Sequence, residues 1–345
     1  MQEIMSSSEQ SLLTPSKALL THTDLDGIGS IVLSLYYNLD FSNAYTFNYG
    51  DSAIISTVEK HTSIIITDFS LKEEDFVRFH NDSRYNILTF DHHVSSDYLN
   101  KFHGNMSDTT RCGTRLFYEE YIIKTLGLEP SKECAMFVEL VDVFDRWQTD
   151  SLLFEKACDL NRLFLEVSKF SDPHYELMGE LTFECLREML PMLATVDTRF
   201  YPFIWRMYMH MKIAKNPICY SLDEKAIIDK ANKEENDLIS ACNSKLSKRA
   251  DSRNVKFGIY PGARNTSIVS HKLLQMNPDI KYVIAVWDSG LLSARSTPDF
   301  DLTELVYLSG HKQAAGGKIS SPEVIYSLLN VPTYSFPYKS DVLVE

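Results

Sequence analysis

The sequence predicts an α/β protein with a mainly parallel sheet in its first domain and a smaller α/β domain after it. Short apolar runs alternate with helical patterns in the first half of the chain, as in repeated βαβ units. A long stretch without strand patterns then predicts a helical extension, and strand patterns return only near the end of the chain. Two domains also agree with the length of 345 residues.

The individual elements follow from these patterns in order. In the first half, short apolar runs bounded by turn residues predict strands at 17–21, 45–49, 63–68 and 85–90. Helices are expected at 28–37 and, within a mostly helical stretch from 114 to 202, at 132–147 and 184–194. The last part predicts strands at 255–260, 281–287 and 290–295, with a helix at 264–276.

Two further segments set the domain organisation. Residues 1–15 are polar and Ser-rich, which predicts a flexible tail without an export signal. Residues 223–249 are helix-compatible and strongly charged, as in a helix that joins two domains. We therefore expect domain boundaries that give a tail at 1–15, a first domain at 16–221, a linker helix at 222–250 and a second domain at 251–345.

The composition restricts the possible partners and the compartment. The 34 basic residues against 47 acidic ones give a net charge of −13, which is unfavourable for a protein that tracks long nucleic acid. No apolar run reaches the ~18 residues that would span a bilayer, so no membrane association is expected and the cytoplasm is favoured. The six cysteines are scattered without a Cys-x-x-Cys pair, which indicates reduced thiols rather than disulfides or structural zinc.

Carboxylates and histidines follow three of the predicted strands. In parallel sheets ligands bind at the carboxyl ends of the strands, so these side chains should meet at one edge. Taken one at a time, each of these residues can be explained without a metal, as a turn residue, a helix cap or an exposed histidine. Together they would repel one another without a cation, and a thiolate-free set of this kind suits Mn²⁺ or Mg²⁺. The candidate ligands are His22, Asp24, Asp26, Asp68, Asp91, His92 and His93.

The ordered motifs resemble those of a known family, the DHH–DHHA1 phosphoesterases. The matching runs are HTDLDG at 22–27, Asp68, DHH at 91–93 and SGHKQAAG at 309–316. The family includes RecJ-type exonucleases, nanoRNases and cyclic-dinucleotide phosphodiesterases. Within it, the run CGTRLFYE at 112–119 is most similar to the NrnB-type oligoribonucleases. The resemblance implies that the first domain is a DHH catalytic domain and the second a DHHA1 substrate-binding domain.

The resemblance also implies a dinuclear metal centre, most often with Mn²⁺, with Mg²⁺ or Co²⁺ as alternatives. His22 and Asp24 would hold one ion, Asp26 and His92 the other, and Asp68 would bridge them.

Three more residues of the first domain receive roles from the resemblance. Asp91 would orient an imidazole, and His93 would face the phosphate or the leaving group. The fourth motif of the family requires an aspartate after an apolar helix; we prefer Asp142 and leave Asp145 open.

The second domain would supply the contacts to substrate. Ser293 and Arg295 resemble the phosphate-binding arginine segment of the family, and an arginine can grip a phosphate with two parallel hydrogen bonds. Read without the resemblance, Arg295 is a surface cation. The remaining binding candidates belong to the last motif and are Gly310, His311, Lys312 and Gly316.

These expectations together favour an oligoribonuclease that cleaves very short RNA to mononucleotides with metal-activated water. The alternatives are a RecJ-like single-strand DNA exonuclease, an enzyme acting on 3′-phosphoadenosine phosphate or linear dinucleotides, and a catalytically inactive binding protein. The acidic net charge favours substrates of two to five nucleotides over a long duplex. A homodimer is left open as the assembly.

Overall fold

The computed structural model describes residues 16–169 and 191–331. The chain divides into two compact units, Met1–Ile228 and Asp229–Glu345. The predicted tail at 1–15 and most of the predicted helix at 184–194 lie outside the described residues, and the end of that helix falls in a 3₁₀ helix, Pro191–Thr195. No helix in the described ranges is both long enough and apolar enough to cross a lipid bilayer.

The described part of the first unit contains a five-stranded parallel sheet, which confirms the predicted α/β class. Its strand order is β2-β1-β3-β4-β5, and each neighbouring pair runs parallel. The first strand therefore lies next to the third, so their carboxyl ends meet at one edge. The strands are β1 (Lys17–His22), β2 (Asn43–Phe47), β3 (Ser63–Thr67), β4 (Asn86–Asp91) and β5 (Met106–Ser107).

Helices cover both faces of this sheet. Successive side chains of a strand point to opposite faces, and accordingly Leu19 and Ile65 belong to one apolar cluster whereas Leu20 and Ile64 belong to another. The helices are α1 (Leu25–Tyr36), α2 (Ala53–Val58), α3 (Glu73–His80), α4 (Gly113–Leu116), α5 (Lys132–Asp145), α6 (Phe154–Val167) and α7 (Tyr201–Met209). Helix α4 continues as a π-helical segment, Phe117–Thr125, and α7 as another, His210–Ala214; 3₁₀ helices occur at Val94–Lys101 and Thr198–Phe200.

A long helix, α8 (Leu222–Ser244), contains the boundary between the two units. Ser221 and Glu224 cap its start reciprocally: the Ser221 hydroxyl accepts from the Glu224 amide at 3.2 Å, and the Glu224 carboxylate accepts from the Ser221 amide at 2.7 Å. The expected extension of the helix to residue 250 is wrong. Residues after Ser244 turn and form strand β6 (Ser247–Ala250), because antiparallel pairing with a neighbouring strand replaces the helical hydrogen bonds.

The second unit has a mixed six-stranded sheet in the order β10-β11-β9-β8-β7-β6. The pair β7–β8 is parallel and the other pairs are antiparallel. The remaining strands are β7 (Lys256–Pro261), β8 (Tyr282–Val286), β9 (Leu291–Ser296), β10 (Ser309–His311) and β11 (Ala314–Lys318), and the helices are α9 (Thr266–Met276) and α10 (Pro322–Asn330). Sequence patterns predict β7, β8, β9 and α9 but not β10 and β11, whose Gly, Ala, Ser and Lys residues have low strand propensity.

Candidate metal centre

The carboxyl ends of β1, β3 and β4 bring the predicted ligands together. Asp68 follows β3 directly, and His92 and His93 follow β4. Asp68 adopts a left-handed backbone with φ of 63°, an uncommon conformation that tends to occur at functional sites. Ligand-type atoms lie within 4.8 Å of one another in three groups, Asp68–His92–His93, His22–Asp24–Asp68 and Asp26–His92–Asp145.

The group of His22, Asp24 and Asp68 lies where β1 is followed by α1. Nδ1 of His22 is 2.9 Å from Oδ2 of Asp24 and 3.8 Å from Oδ2 of Asp68. The other Asp24 oxygen accepts a hydrogen bond from the Gly27 amide at 3.0 Å, so Asp24 is also the N-cap of α1. The predicted cap and the predicted ligand are therefore the same residue, with one carboxylate oxygen for each contact.

The other two groups share His92. Its Nε2 atom is 3.2 Å from Oδ1 of Asp68, 3.5 Å from Oδ2 of Asp145 and 3.9 Å from Oδ2 of Asp26. Asp68 thus directs Oδ2 toward His22 and Oδ1 toward His92. The bridging role of Asp68 needs such a placement and stays a prediction.

Asp26 is held by the start of α4. Its two oxygens accept hydrogen bonds from the amides of Gly113 and Thr114 at 2.7 and 2.8 Å. The Thr114 hydroxyl donates to the Asp26 carbonyl as well. A Cβ at Gly113 would lie 2.7 Å from the backbone of Asp68, so only glycine lets this turn pack against Asp68. The Gly113–Thr114 turn therefore fixes the orientation of Asp26, a role that no pattern in the sequence indicates.

The structure places Asp142, the preferred aspartate of the fourth motif, outside the three ligand groups. Its buried side chain accepts hydrogen bonds from the Cys112 amide at 2.7 Å and from Arg115 and Gln148 at 2.8 Å each. These donors occupy the carboxylate, and Asp142 belongs to none of the three ligand groups. Asp145, one helical turn further along α5, reaches His92 instead.

Asp91 holds the second histidine of the DHH run. Its Oδ1 atom is 2.7 Å from Nδ1 of His93 and accepts a hydrogen bond from the His92 amide at 2.8 Å. Nε2 of His93 is 2.8 Å from the hydroxyl of Tyr49. The imidazole that Asp91 orients is therefore that of His93. Tyr49, for which the sequence predicts only a place in a strand, lies beside the candidate ligands.

The electrostatics of the cluster favour a cation. Burial and the charges of Asp24 and Asp26 raise the pKa of Asp68 well above its usual value. Burial also raises the pKa of Asp145, and the charge of Asp26 adds to this against the opposing charge of His92. Both shifts have the same cause, which is that several carboxylates share a space removed from water. A bound cation would relieve this repulsion.

The pKa shifts of His22 and Asp91 favour the charged form of each group, unlike those of Asp68 and Asp145. Burial alone lowers the pKa of an imidazole, but the close Asp24 carboxylate outweighs burial and raises the pKa of His22. Burial would raise the pKa of Asp91, but the hydrogen bond with His93 lowers it below the usual value. Asp91 therefore stays ionised and accepts from His93 over a wide pH range.

The donor set fits divalent metal ions. Oδ2 of Asp68 and Oδ2 of Asp145 are buried and receive no hydrogen bond from the described residues, an arrangement that is costly unless something else satisfies them. The groups combine carboxylate oxygens with imidazole nitrogens and contain no thiolate. Mn²⁺ and Mg²⁺ accept this combination, whereas structural zinc sites are typically rich in cysteine.

The predicted substrate-binding residues lie on adjacent strands of the second unit. In the sheet register Arg295 of β9 is paired with Ala314 of β11, which is paired with His311 of β10. Ser293 is likewise paired with Gly316. Among the six candidates, the structure thus places Ser293, Arg295, Gly310, His311 and Gly316 on neighbouring strands, with Lys312 in the turn between β10 and β11.

Arg295 and Lys312 differ in their surroundings. The guanidinium of Arg295 donates to the Ser267 hydroxyl at 2.6 Å, which ties it to the first turn of α9. Lys312 is exposed, and its ammonium lies 3.8 Å from Asp301. Arg295 is therefore the more firmly positioned of the two cations.

Comparison with known proteins gives one curated relative and several solved structures. The chain is 24% identical over 337 residues to a Helicobacter pylori protein named 3′,5′-cyclic-nucleotide phosphodiesterase, covering 87% of this chain and 92% of the relative. No family model matches the chain.

Two of the similar solved structures are RecJ with Mn²⁺ from Thermus thermophilus and the pGpG-specific phosphodiesterase PggH from Vibrio cholerae. RecJ has a TM-score of 0.49 at 14% identity, and the match covers 91% of this chain but 51% of RecJ, so this chain spans about half of that protein. PggH has a TM-score of 0.40 at 16% identity, with 90% of this chain and 95% of PggH covered.

Proposed function

We propose that this protein is a metal-dependent phosphoesterase of the DHH–DHHA1 type that cleaves phosphodiester bonds. The observation that carries the proposal is the convergence of Asp68, His92 and Asp145 at one sheet edge, with two buried carboxylate oxygens that receive no hydrogen bond from the described residues. The similarity to a phosphodiesterase over most of both chains supports the same class of reaction.

Two ions would account for the arrangement better than one. His22, Asp24 and Asp68 would hold the first, and Asp26, His92 and Asp145 the second, with Asp68 contributing an oxygen to each. Mn²⁺ is the proposed metal, with Mg²⁺ or Co²⁺ as alternatives, because mixed oxygen and nitrogen ligands suit these ions. When bound, such a pair polarises a phosphoryl oxygen and lowers the pKa of a water molecule.

The chain's own residues would prepare the site for this reaction. The amides of Gly113 and Thr114 keep the Asp26 carboxylate turned toward His92. Asp91 keeps Nδ1 of His93 engaged, so Nε2 is the ring nitrogen that would, as part of an imidazolium, donate to a phosphate oxygen or to the leaving group. Groups fixed in this way need little rearrangement when charge develops on the phosphate.

Short oligoribonucleotides are the proposed substrates. A net charge of −13 gives little attraction for a long polyanion, whereas two to five nucleotides need only local cations. Arg295 and Lys312 of the second unit are proposed to supply such contacts. A second candidate is hydrolysis of a 3′,5′-cyclic nucleotide, and the name of the curated relative favours it.

A turnover assay with Mn²⁺ tests both candidates. The substrates are RNA of two, five and 24 nucleotides, DNA of the same lengths, 3′-phosphoadenosine phosphate and 3′,5′-cyclic AMP. We expect kcat/KM to peak on RNA of two to five nucleotides and to vanish with a chelator. A rise of kcat/KM up to the 24-mer, above all on DNA, would favour a RecJ-like exonuclease, and turnover of cyclic AMP alone would favour the second candidate.

A further inference from the structure

Tyr49 lies in a tight turn at the same sheet edge as the metal cluster. It follows β2, whose last residue, Phe47, is paired with His22 of β1. The amide of Asp51 donates to the Asn48 carbonyl at 3.2 Å, and Gly50 has φ of 78°, which together describe a type II turn with Tyr49 at its second position. Thr23 donates to the Asn48 side chain at 2.9 Å and so ties this turn to the end of β1.

The side chain of Tyr49 contacts two of the candidate histidines. Its ring centroid is 4.3 Å from that of His22, with an interplanar angle of 35°. Its hydroxyl is 2.8 Å from Nε2 of His93 and 3.4 Å from the Asp68 carbonyl. Despite these contacts Tyr49 is 59% exposed, so much of its ring faces solvent.

His93 is consequently held from both sides of its ring. Asp91 accepts from Nδ1, and the Tyr49 hydroxyl occupies Nε2. A phenolic hydroxyl both donates and accepts, so it can hold Nε2 of His93 whether or not that nitrogen carries a proton. Tyr49 thus contacts the nitrogen atom assigned above to the phosphate or the leaving group.

Two exposed side chains with apolar surface follow β2 and β4, the strands next to β1 and β3. Val94, directly after His93, is 64% exposed, and Tyr49 adds an aromatic face beside the charged ligands. Aromatic rings take up nucleobases by stacking, and this is sequence-tolerant because every base has a π-face. A mononucleotide or oligonucleotide carries a base within a few bonds of its phosphate, and a metal-bound phosphate would place that base near Tyr49.

We propose that Tyr49 is a substrate-contacting residue in which the exposed ring stacks on the nucleobase next to the reacting phosphate and the hydroxyl positions His93. This inference rests on the proposed phosphoesterase function and adds selectivity for nucleosides over other phosphate compounds. The ring of Tyr49 would then contribute to substrate binding, whereas its hydroxyl would contribute to turnover.

The experiment compares Tyr49→Phe, which keeps the ring, with Tyr49→Ala, which removes it. Tyr326→Ala is the matched control, because Tyr326 is 64% exposed on α10 of the second unit. Calorimetry in Mn²⁺ measures the Kd of 5′-AMP and of ribose 5-phosphate, which has the phosphate and sugar but no base. Initial rates on a diribonucleotide give kcat and KM, and the Tm of each variant verifies folding.

We expect Tyr49→Ala to raise the Kd of 5′-AMP by about 5- to 100-fold while the Kd of ribose 5-phosphate stays unchanged. Tyr49→Phe should bind 5′-AMP like the wild type and lower kcat about 10-fold at constant KM. The control should match the wild type in every measurement.

Other results overturn the inference. Equal weakening of 5′-AMP and ribose 5-phosphate, or no weakening, would show that the ring does not stack on the base. Full kcat in Tyr49→Phe would remove the role of the hydroxyl. If the wild type cleaves no phosphodiester, the proposed function and the hydroxyl's role both fail, whereas the stacking is still judged by the 5′-AMP measurement alone.

Discussion

The two units carry their functional candidates on sheets of opposite charge character. At the parallel edge of the first unit the ligand groups consist only of aspartates and histidines. On β9–β11 of the second unit and the turn between β10 and β11, the candidates are two cations, a histidine, a serine and two glycines: Arg295, Lys312, His311, Ser293, Gly310 and Gly316. The first arrangement suits cations and the second suits phosphates. A phosphoesterase needs both, because metal ions act on the reacting phosphate while cations of the protein hold the rest of the anion.

The strongest test of this comparison is Asp68→Asn, since Asp68 belongs to two of the three ligand groups. We expect kcat in Mn²⁺ to fall by about 1,000-fold, equivalent to about 4 kcal/mol of lost transition-state stabilisation. Asp82→Asn, which removes a surface carboxylate paired with Arg84, is the control and should keep full activity. Turnover by Asp68→Asn at the wild-type rate, or by the wild type in a chelator, would contradict a metal centre here.

Asp142 and Asp145 provide the next test, because they share one helix but have different surroundings. Asp142→Ala should lower the free energy of unfolding by about 3 kcal/mol, because it leaves Arg115 without its buried partner. Asp145→Asn should leave the metal-free protein at least as stable as the wild type and raise the Kd of Mn²⁺ by about 10- to 100-fold. Chemical denaturation and metal titration measure the two effects, and the reverse pattern would restore Asp142 as the ligand.

The two histidines of the DHH run separate metal binding from chemistry. His92 has its Nε2 atom near three carboxylates, so His92→Ala should lose about half of the bound metal. His93 contacts Asp91 and Tyr49, so His93→Ala should keep its metal and lower kcat by about 100-fold. Metal analysis after dialysis, beside initial rates, distinguishes the two, and equal metal loss would show that both imidazoles are ligands.

In the second unit, Arg295→Ala should raise KM for a short RNA about 10-fold with little change in kcat. The physical reason is that Arg295 is held by Ser267 and offers a preorganised guanidinium to a phosphate. Lys248→Ala, which removes an exposed cation paired with Asp279, is the control. An unchanged KM in Arg295→Ala would restrict substrate binding to residues other than Arg295.

The smallest effect expected is a pH dependence of the metal-free protein. Asp68 and Asp145 have pKa values raised in the folded state, so the folded state retains protons that the unfolded state releases. The contribution of these two carboxyl groups to the free energy of unfolding therefore falls as pH rises above about 4, the usual pKa of a carboxyl group. The loss is complete once the pH exceeds the pKa that each group has in the folded state. Between about pH 5 and about pH 8 we expect the free energy of unfolding of the metal-free protein to fall, measured by chemical denaturation at each pH.

Saturating Mn²⁺ and the Asp145→Asn variant should each flatten this pH profile. The ion neutralises the repulsion, and the substitution removes one of the repelling charges. A metal-free protein whose stability rises over the same pH range would show that the carboxylates are not in conflict.

Local patterns in the sequence were sufficient for the fold class and for the strand ends that carry chemistry. β1, β3 and β4 follow from short apolar runs, and the parallel-sheet rule brings the residues behind them to one edge. His22, Asp24, Asp68 and His92 could thus be nominated together, and the structure brings them within a few ångströms of one another. Their roles as ligands remain predictions.

Only the tertiary structure distinguished the surroundings of Asp142 from those of Asp145, placed Tyr49 beside His93, and formed β6, β10 and β11. Two aspartates three residues apart on one helix are equivalent in sequence, and the difference lies in whether Arg115 or His92 packs against them. Tyr49 reaches His93 across 44 positions of the chain. Periodicity and propensity describe neighbours along the chain, whereas these contacts depend on residues that are brought together only when the sheets pair and the helices pack.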